Sequence, residues 1–319
     1  MSDPGFILEH RASIILYNLL KSRADDRPFL IPANVCPVVP ATFLKARVPF
    51  EFVDIELTTF SMDLDLAQEA LTNRPGGYGG VLYVRNFGIV SEHGSKGLEI
   101  IKDGFADLLV IDDRCVGWPE FSAEGTGDIV LYSTGYSKPA ELGWGGFAYL
   151  LNPEVEYGRH PLDYQPSCHE RLLDAFRTAI DRQEAFVYED SDWLGDTGWA
   201  TLPKEYARLV EEKKAAAKAH KDAINKVYFE NLPRDLCMPE GSHDWRFQIV
   251  SPAKERILQA IFADGLFASG HYATLSHLFS NAACPSSRHY EARIVNLFND
   301  FRFDEAMASR VAEIIRRVT

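Results

Sequence analysis

Two stretches decide the fold: Leu108-Leu-Val-Ile-Asp-Asp-Arg-Cys115 and Asp128-Ile-Val-Leu-Tyr-Ser-Thr-Gly-Tyr-Ser-Lys138, the second followed by Leu142-Gly-Trp-Gly-Gly146. Each contains a run of apolar residues without alternation, as strands buried on both faces have. The first run ends in the carboxylates Asp112 and Asp113. The second ends in Ser133, with Lys138 five residues on in a Ser/Thr/Gly-rich loop. Open α/β sheets bind ligands beyond the carboxyl ends of their strands, so all four groups are expected at one sheet edge. Two plainer readings stand beside this one. An Asp-Asp pair after a strand also caps turns, and a loop lysine is usually solvated.

Working outward, further apolar runs at 29–31, 50–55, 81–84 and 147–151 read as strands. Helical patterns at 11–22, 64–71 and 95–103 fall between several of them. Alternating strand and helix predicts an α/β fold, a mostly parallel sheet covered by helices on both sides. After residue 152 the texture changes. A polar, proline-containing loop is expected at 160–168, a helix at 170–183 and an exposed loop at 189–199. A long helix should run over 203–231, opened by Pro203 and stopped by Pro233. Its tract EEKKAAAKAHK reads as a solvated helix surface. From Trp245 a second pattern begins, with strands at 246–250 and 293–297 and helices at 253–264 and 304–318. The expected division is a large domain over 1–200, then a linking helix and a small C-terminal α+β domain over 201–319.

Composition narrows the function. The chain has 319 residues, 33 basic against 46 acidic, for a net charge of −13. That field repels a phosphate backbone, which argues against nucleic acid as a partner. No apolar run is long enough to span a membrane, and MSDPGF lacks the layout of a signal peptide. The five cysteines (36, 115, 168, 237 and 284) are scattered, with no CxxC pair, which points to a reduced, cytoplasmic protein. The nine histidines are equally dispersed and no HExxH occurs, so no metal site is expected.

The order strand-Asp-Asp, then Ser133-x-x-x-x-Lys138, then a Gly-Gly turn resembles the fold-type-I pyridoxal-phosphate enzymes, in particular the DegT/DnrJ-type sugar aminotransferases. The likeness extends to Ile31-Pro-Ala-Asn-Val-Cys36, Val48-Pro-Phe-Glu-Phe-Val-Asp54, Trp245-Arg-Phe247, Gly270-His-Tyr272 and Val295-Asn-Leu297. It therefore covers nearly the whole chain and is weakest at 152–200. The fold it implies is the aspartate aminotransferase-like one, and the cofactor is pyridoxal 5'-phosphate.

The resemblance assigns roles residue by residue. Lys138 falls at the Schiff-base lysine, both covalent anchor and proton carrier. Asp113 falls at the aspartate that keeps the pyridine nitrogen protonated, with Asp112 as the alternative register. Ser133 matches the phosphate-binding serine. The start of the first helix should supply further phosphate donors. There the family has Ser-Gly-Thr or Ser-Gly-Arg and this chain has Arg11-Ala12-Ser13. Cys115 is expected against a ring face, Val116 stands where a polar residue is common, and Asn34 and Cys36 occupy the Pro-led loop.

For the substrate, Arg85 and Asn86 lie near the place of the family's loop histidine. A cation there could meet a carboxylate or phosphate, while a strand-end turn closed by Gly88 is the plainer reading. Tyr136 and His271, with Tyr272, are further candidates.

What the resemblance implies is an aminotransferase moving nitrogen from an amino donor, by family habit glutamate, to a keto acceptor such as a nucleotide-linked keto sugar. Two other functions compete: a different pyridoxal-phosphate reaction, and a non-catalytic binding or scaffolding descendant. Retention of Lys138 and Asp113 speaks against the latter, since neither stabilises a fold when buried unpaired. The resemblance also implies a homodimer with shared sites. The loop at 190–199, with Trp193 and Trp199, is the expected crossing element; the alternative is that its tryptophans fold back onto the long helix.

Overall fold

The computed structural model describes residues 5–195, 201–239, 241–280 and 282–319. Its elements in chain order are β1 (Phe6–Glu9), α1 (Ala12–Ser22), β2 (Phe29–Pro32), α2 (Val38–Ala46), β3 (Phe50–Val53), α3 (Leu64–Asn73), β4 (Gly80–Val84), α4 (Glu92–Gly104), β5 (Leu109–Asp113), β6 (Ile129–Ser133) and β7 (Gly146–Leu150). Then follow α5 (Pro166–Arg182), α6 (Pro203–Asn231), β8 (Phe247–Val250), α7 (Lys254–Ala263), β9 (Ala268–Ser269), α8 (Ser276–Phe279), α9 (Pro285–Glu291), β10 (Ile294–Leu297) and α10 (Glu305–Val318).

The first seven strands form one sheet in the order β1-β7-β6-β5-β4-β2-β3. Strands β2 to β6 run parallel, as the near-continuous apolar runs predict. β7 turns back antiparallel beside β6, and β1 closes that edge antiparallel to β7. Strand alternation divides the side chains between two faces. Leu82, Val84, Ile111 and Leu131 pack with α1, α2 and α5. Val81, Tyr83 and Val110 pack with α3 and α4. Asp63 caps α3 by accepting from the Asp65 and Leu66 N–H groups, and Ser91 caps α4 by accepting from Gly94 N–H.

The second sheet, β8-β10-β9, is antiparallel. It shares a core of Phe247, Ile249 and Val295 with Ile224 and Tyr228 of α6 and Val311 and Ile315 of α10. The helix α6 reaches both sheets, because Tyr206 and Val210 near its start pack with Tyr132 and Phe147 of the large one. Residues 211–220 on this helix are exposed or half-exposed, and Lys221, which ends the charged tract, is buried.

Three differences from the sequence reading have physical reasons. β1 is a four-residue edge strand, too short to show a period. α2 has Pro40 and several β-branched residues, a poor helix composition; burial of Val39, Ala41, Phe43 and Ala46 against the core holds it. α5 begins at Pro166, inside the expected polar loop, because proline suits the first turn of a helix.

Candidate active site

At the carboxyl end of the parallel strands lies a cavity of about 550 Å³. Lys138 and Asp113 both line it, with Ser133 at the end of β6 and Arg11, Ala12 and Ser13 at the start of α1. Two glycines make this convergence possible. A Cβ on Gly146 would come within 2.2 Å of the Ala12 backbone nitrogen, so only glycine lets α1 begin there. Gly145 has φ +96°, and a Cβ would sit 2.6 Å from Thr134 Oγ1. Its N–H donates to the His10 carbonyl at 2.7 Å, tying the turn after Lys138 to the residue before Arg11.

Asp113 is the last residue of β5 and 5% exposed. Its Oδ1 accepts from Cys115 N–H at 2.8 Å. Burial pushes its carboxyl pKa up, while the Cys115 contacts and the Lys138 charge pull it back. Lys138 makes no hydrogen bond or ion pair among the described residues, so its amine is uncommitted. Cys115 is buried at the wall with its thiol pKa raised by burial, and Val116 adds an apolar surface. Ser133 keeps its hydroxyl near the loop, accepting from Gly135 N–H at 3.3 Å. Arg11 is the N-cap of α1 and makes no cap bond with its side chain. Its guanidinium instead donates to Tyr164 Oη at 3.2 Å, beside a helix terminus whose first N–H groups favour an anion.

Asp112, the alternative register, points to the other face. Arg85 holds it through Nε at 2.7 Å and a second nitrogen at 3.0 Å, and Arg114 holds it at 2.8 Å. This corrects the expectation for Arg85. It is 1% exposed, committed to Asp112, and lines a separate cleft of about 140 Å³ with Arg114 and Asp244, so it is no substrate ligand in the main cavity. Asn86 does line the cavity, and its amide donates to Asn34 Oδ1 and to the Phe60 carbonyl. Asn34 is fully buried behind that wall and serves to hold Asn86. His271 lies outside the wall, which Tyr272 lines in its place. Tyr136 stands at the rim, 78% exposed.

Among the wall residues that the sequence reading did not single out are Tyr164, His169, Val39 and Thr42. His169 sits in the first turn of α5, its ring pKa lowered by burial and by the nearby Arg11. Long-range contacts bring that segment to the cavity, among them the Arg11–Tyr164 bond across 153 residues and the bonds of Tyr157 and Arg159 to Glu9, and no local pattern signals them. Trp193 also corrects an expectation. It is completely buried in the core shared by α1, α2 and α5, with Nε1–H donating to Tyr188 Oη at 3.0 Å, so its side chain packs within its own chain and away from α6. Trp199 lies outside the described residues. No described helix is long and apolar enough to cross a membrane. Among the described residues no group of three or more His, Cys, Asp or Glu could hold a metal ion.

No protein-family model matches the sequence, and neither does any curated protein. Solved structures do match over almost its whole length. A DegT DnrJ EryC1 StrS aminotransferase from Brucella abortus is similar with a TM-score of 0.69 at 16% identity, covering 98% of this chain and 85% of that one. PseC of Helicobacter pylori, an aminotransferase involved in the biosynthesis of pseudoaminic acid, gives 0.68 at 13%, covering 98% and 86%. DesV of S. venezuelae, solved in complex with a ketimine intermediate, gives 0.68 at 13%, covering 98% and 84%. The chain has the fold of these aminotransferases.

Proposed function

We propose that this chain is a pyridoxal-phosphate-dependent aminotransferase. The observation that carries the reading is the meeting, in one cavity, of the uncommitted amine of Lys138, the buried carboxylate of Asp113 and a helix N-terminus flanked by Arg11. Each group suits one part of the cofactor. An amine with no hydrogen bond or ion pair among the described residues is available to an aldehyde. A carboxylate with Cys115 N–H as its hydrogen-bond donor, facing a cavity, suits a protonated ring nitrogen. Arg11, the free N–H groups of α1 and the hydroxyls of Ser13 and Ser133 suit a phosphate.

When bound, the cofactor supplies an electron sink for charge that develops at the carbon bearing nitrogen. The remaining work belongs to the chain. Lys138 would hold the group through its amine and would serve as the proton carrier on that side of the cavity. Asp113 would accept from the ring N–H, a contact that would favour its ionised form against its burial. Arg11 and the α1 terminus fix the phosphate end, so that the reacting end stays near Lys138. Cys115 and Val116, which line the cavity, would help keep water from the bound group.

The proposed amino donor is glutamate and the acceptor a keto compound, a nucleotide-linked keto sugar being the favoured class. Support for a sugar is the likeness to an aminotransferase of pseudoaminic acid biosynthesis. Asn86 and Tyr136 are the proposed substrate contacts. The division into a cofactor-binding unit over 1–200 and a smaller unit over 201–319, a homodimeric assembly and a cytoplasmic location belong to the same proposal. Adding pyridoxal 5'-phosphate should turn the protein yellow, and glutamate should then bleach the band as nitrogen passes to the cofactor. A protein that stays colourless overturns the reading. A yellow protein that glutamate leaves unchanged assigns it another reaction of the same cofactor.

A further inference from the structure

Ser137, the residue before Lys138, has φ +57°. Non-glycine residues keep left-handed backbone where surrounding contacts fix it. Here both backbone groups of Ser137 are gripped. Its N–H donates to Glu141 Oε2 at 3.0 Å, and its carbonyl accepts from Trp245 Nε1–H at 2.6 Å.

Both grips lead away from the large sheet. Glu141 Oε1 accepts from Arg302 at 2.6 Å, Arg302 pairs with Asp300 at 2.7 Å, and Asp300 pairs with the buried Arg246 at 2.6 Å. The Trp245 carbonyl accepts from Lys221 Nζ of α6 at 3.0 Å. Its ring stacks on Phe87 at 5.9 Å and meets Tyr272 at 5.2 Å. Lys138 itself lines two spaces, the main cavity and a cleft of about 240 Å³ shared with Glu141, Lys221 and Asp300. The amine therefore stands at a seam, and the backbone that aims it is held from the C-terminal side.

We propose that Trp245 and Glu141 are positioning residues for Lys138, through which the C-terminal part of the chain aims the amine into the main cavity. The proposal rests on the reading of Lys138 as the cofactor-bearing residue. It predicts that losing either grip lets the amine turn toward the second cleft while the sheet stays folded.

Three variants of the full chain test it. W245F keeps the ring stack and loses the Nε1–H donor; E141A loses both contacts of the carboxylate; E141Q keeps an oxygen for Ser137 N–H. Without cofactor, reductive methylation read by peptide mass spectrometry should give a Lys138 rate altered by about threefold or more in W245F and E141A, because a small misplacement changes access to the amine. Lys204, which is exposed on α6, serves as the internal reference. Rescue by E141Q should return the rate to near wild type. With cofactor, W245F and E141A should lower kcat by about tenfold while KM for the amino donor stays within about twofold. Unaltered Lys138 rates in both W245F and E141A overturn the proposal, and so does an E141Q as impaired as E141A. If the wild-type chain captures no pyridoxal phosphate on Lys138, the functional reading fails instead, and the cofactor-free rates still decide whether these residues aim the amine.

Discussion

Asp112 and Asp113 are neighbours in sequence and face opposite sides of the sheet. Asp113 lines the main cavity; Asp112 is clasped by Arg85 and Arg114 on the other face. The alternation of a strand separates them by chemistry as well as by direction. One carboxylate is left for a ligand, and the other is spent as the counter-charge of two largely buried guanidinium groups.

The two aspartates should therefore fail differently. Asp113→Asn keeps an oxygen for Cys115 N–H, so the fold should hold and cofactor should still bind. Turnover should fall on the order of 10²-fold or more, since a neutral amide no longer stabilises a protonated ring nitrogen. Asp112→Asn leaves Arg85 without its counter-charge inside the protein and should cost about 3–5 kcal/mol of stability. Urea unfolding and steady-state kinetics on both variants check this. The reverse pattern, with Asp113→Asn unfolding and Asp112→Asn merely slow, contradicts the assignment.

Trp193 makes a prediction about assembly. It is buried within its own chain, so Trp193→Ala should leave a cavity and cost about 3–5 kcal/mol. Light scattering on the folded fraction should show the same mass as the wild type. A change of mass without loss of stability would return Trp193 to an interface.

Lys221 predicts a pH dependence. Burial, with help from the charge of Arg246, lowers its pKa from 10.5 to about 7. A neutral amine still has two hydrogens for its two acceptors, the Trp245 carbonyl and Asn299 Oδ1. Between pH 7 and 10.5 the unfolded chain binds a proton at this site that the folded chain does not. In that window stability rises with pH, by up to about 1.4 kcal/mol per unit; below about pH 7 the dependence from this group vanishes. Lys221→Met should be less stable overall, because the two acceptors lose their donor. Its stability curve over pH 7.5–9.5 (about the middle of the window) should be flatter than that of the wild type. Parallel curves would show that the amine stays charged in the fold.

The sequence was most legible where burial on both faces leaves an unbroken apolar run, as in β4, β5 and β6, and where proline marks a boundary, as at Pro203. The helix α2 was hidden because its stability comes from the core around Phe43 and not from its own residues. In the site, spacing alone brought Ser133 and Lys138 to one edge, since both hang from a single strand and its loop. The choice between Asp112 and Asp113 was not legible, because a one-residue shift along a strand changes its face and nothing local fixes it. Arg85 looked free for the same reason: the carboxylate that claims it lies on the neighbouring strand, where Tyr83 pairs with Asp112. Tyr164 and His169 reach the cavity from a segment far along the chain, so no motif could announce them.

The account stands on Lys138. The protein should be incubated with pyridoxal 5'-phosphate, reduced with borohydride and mapped by peptide mass spectrometry. The account predicts one pyridoxyl group per chain, on Lys138, with none captured in Lys138→Ala. Stable attachment to a different lysine such as Lys45 or Lys96, or scattered low labelling that Lys138→Ala leaves unchanged, would contradict it.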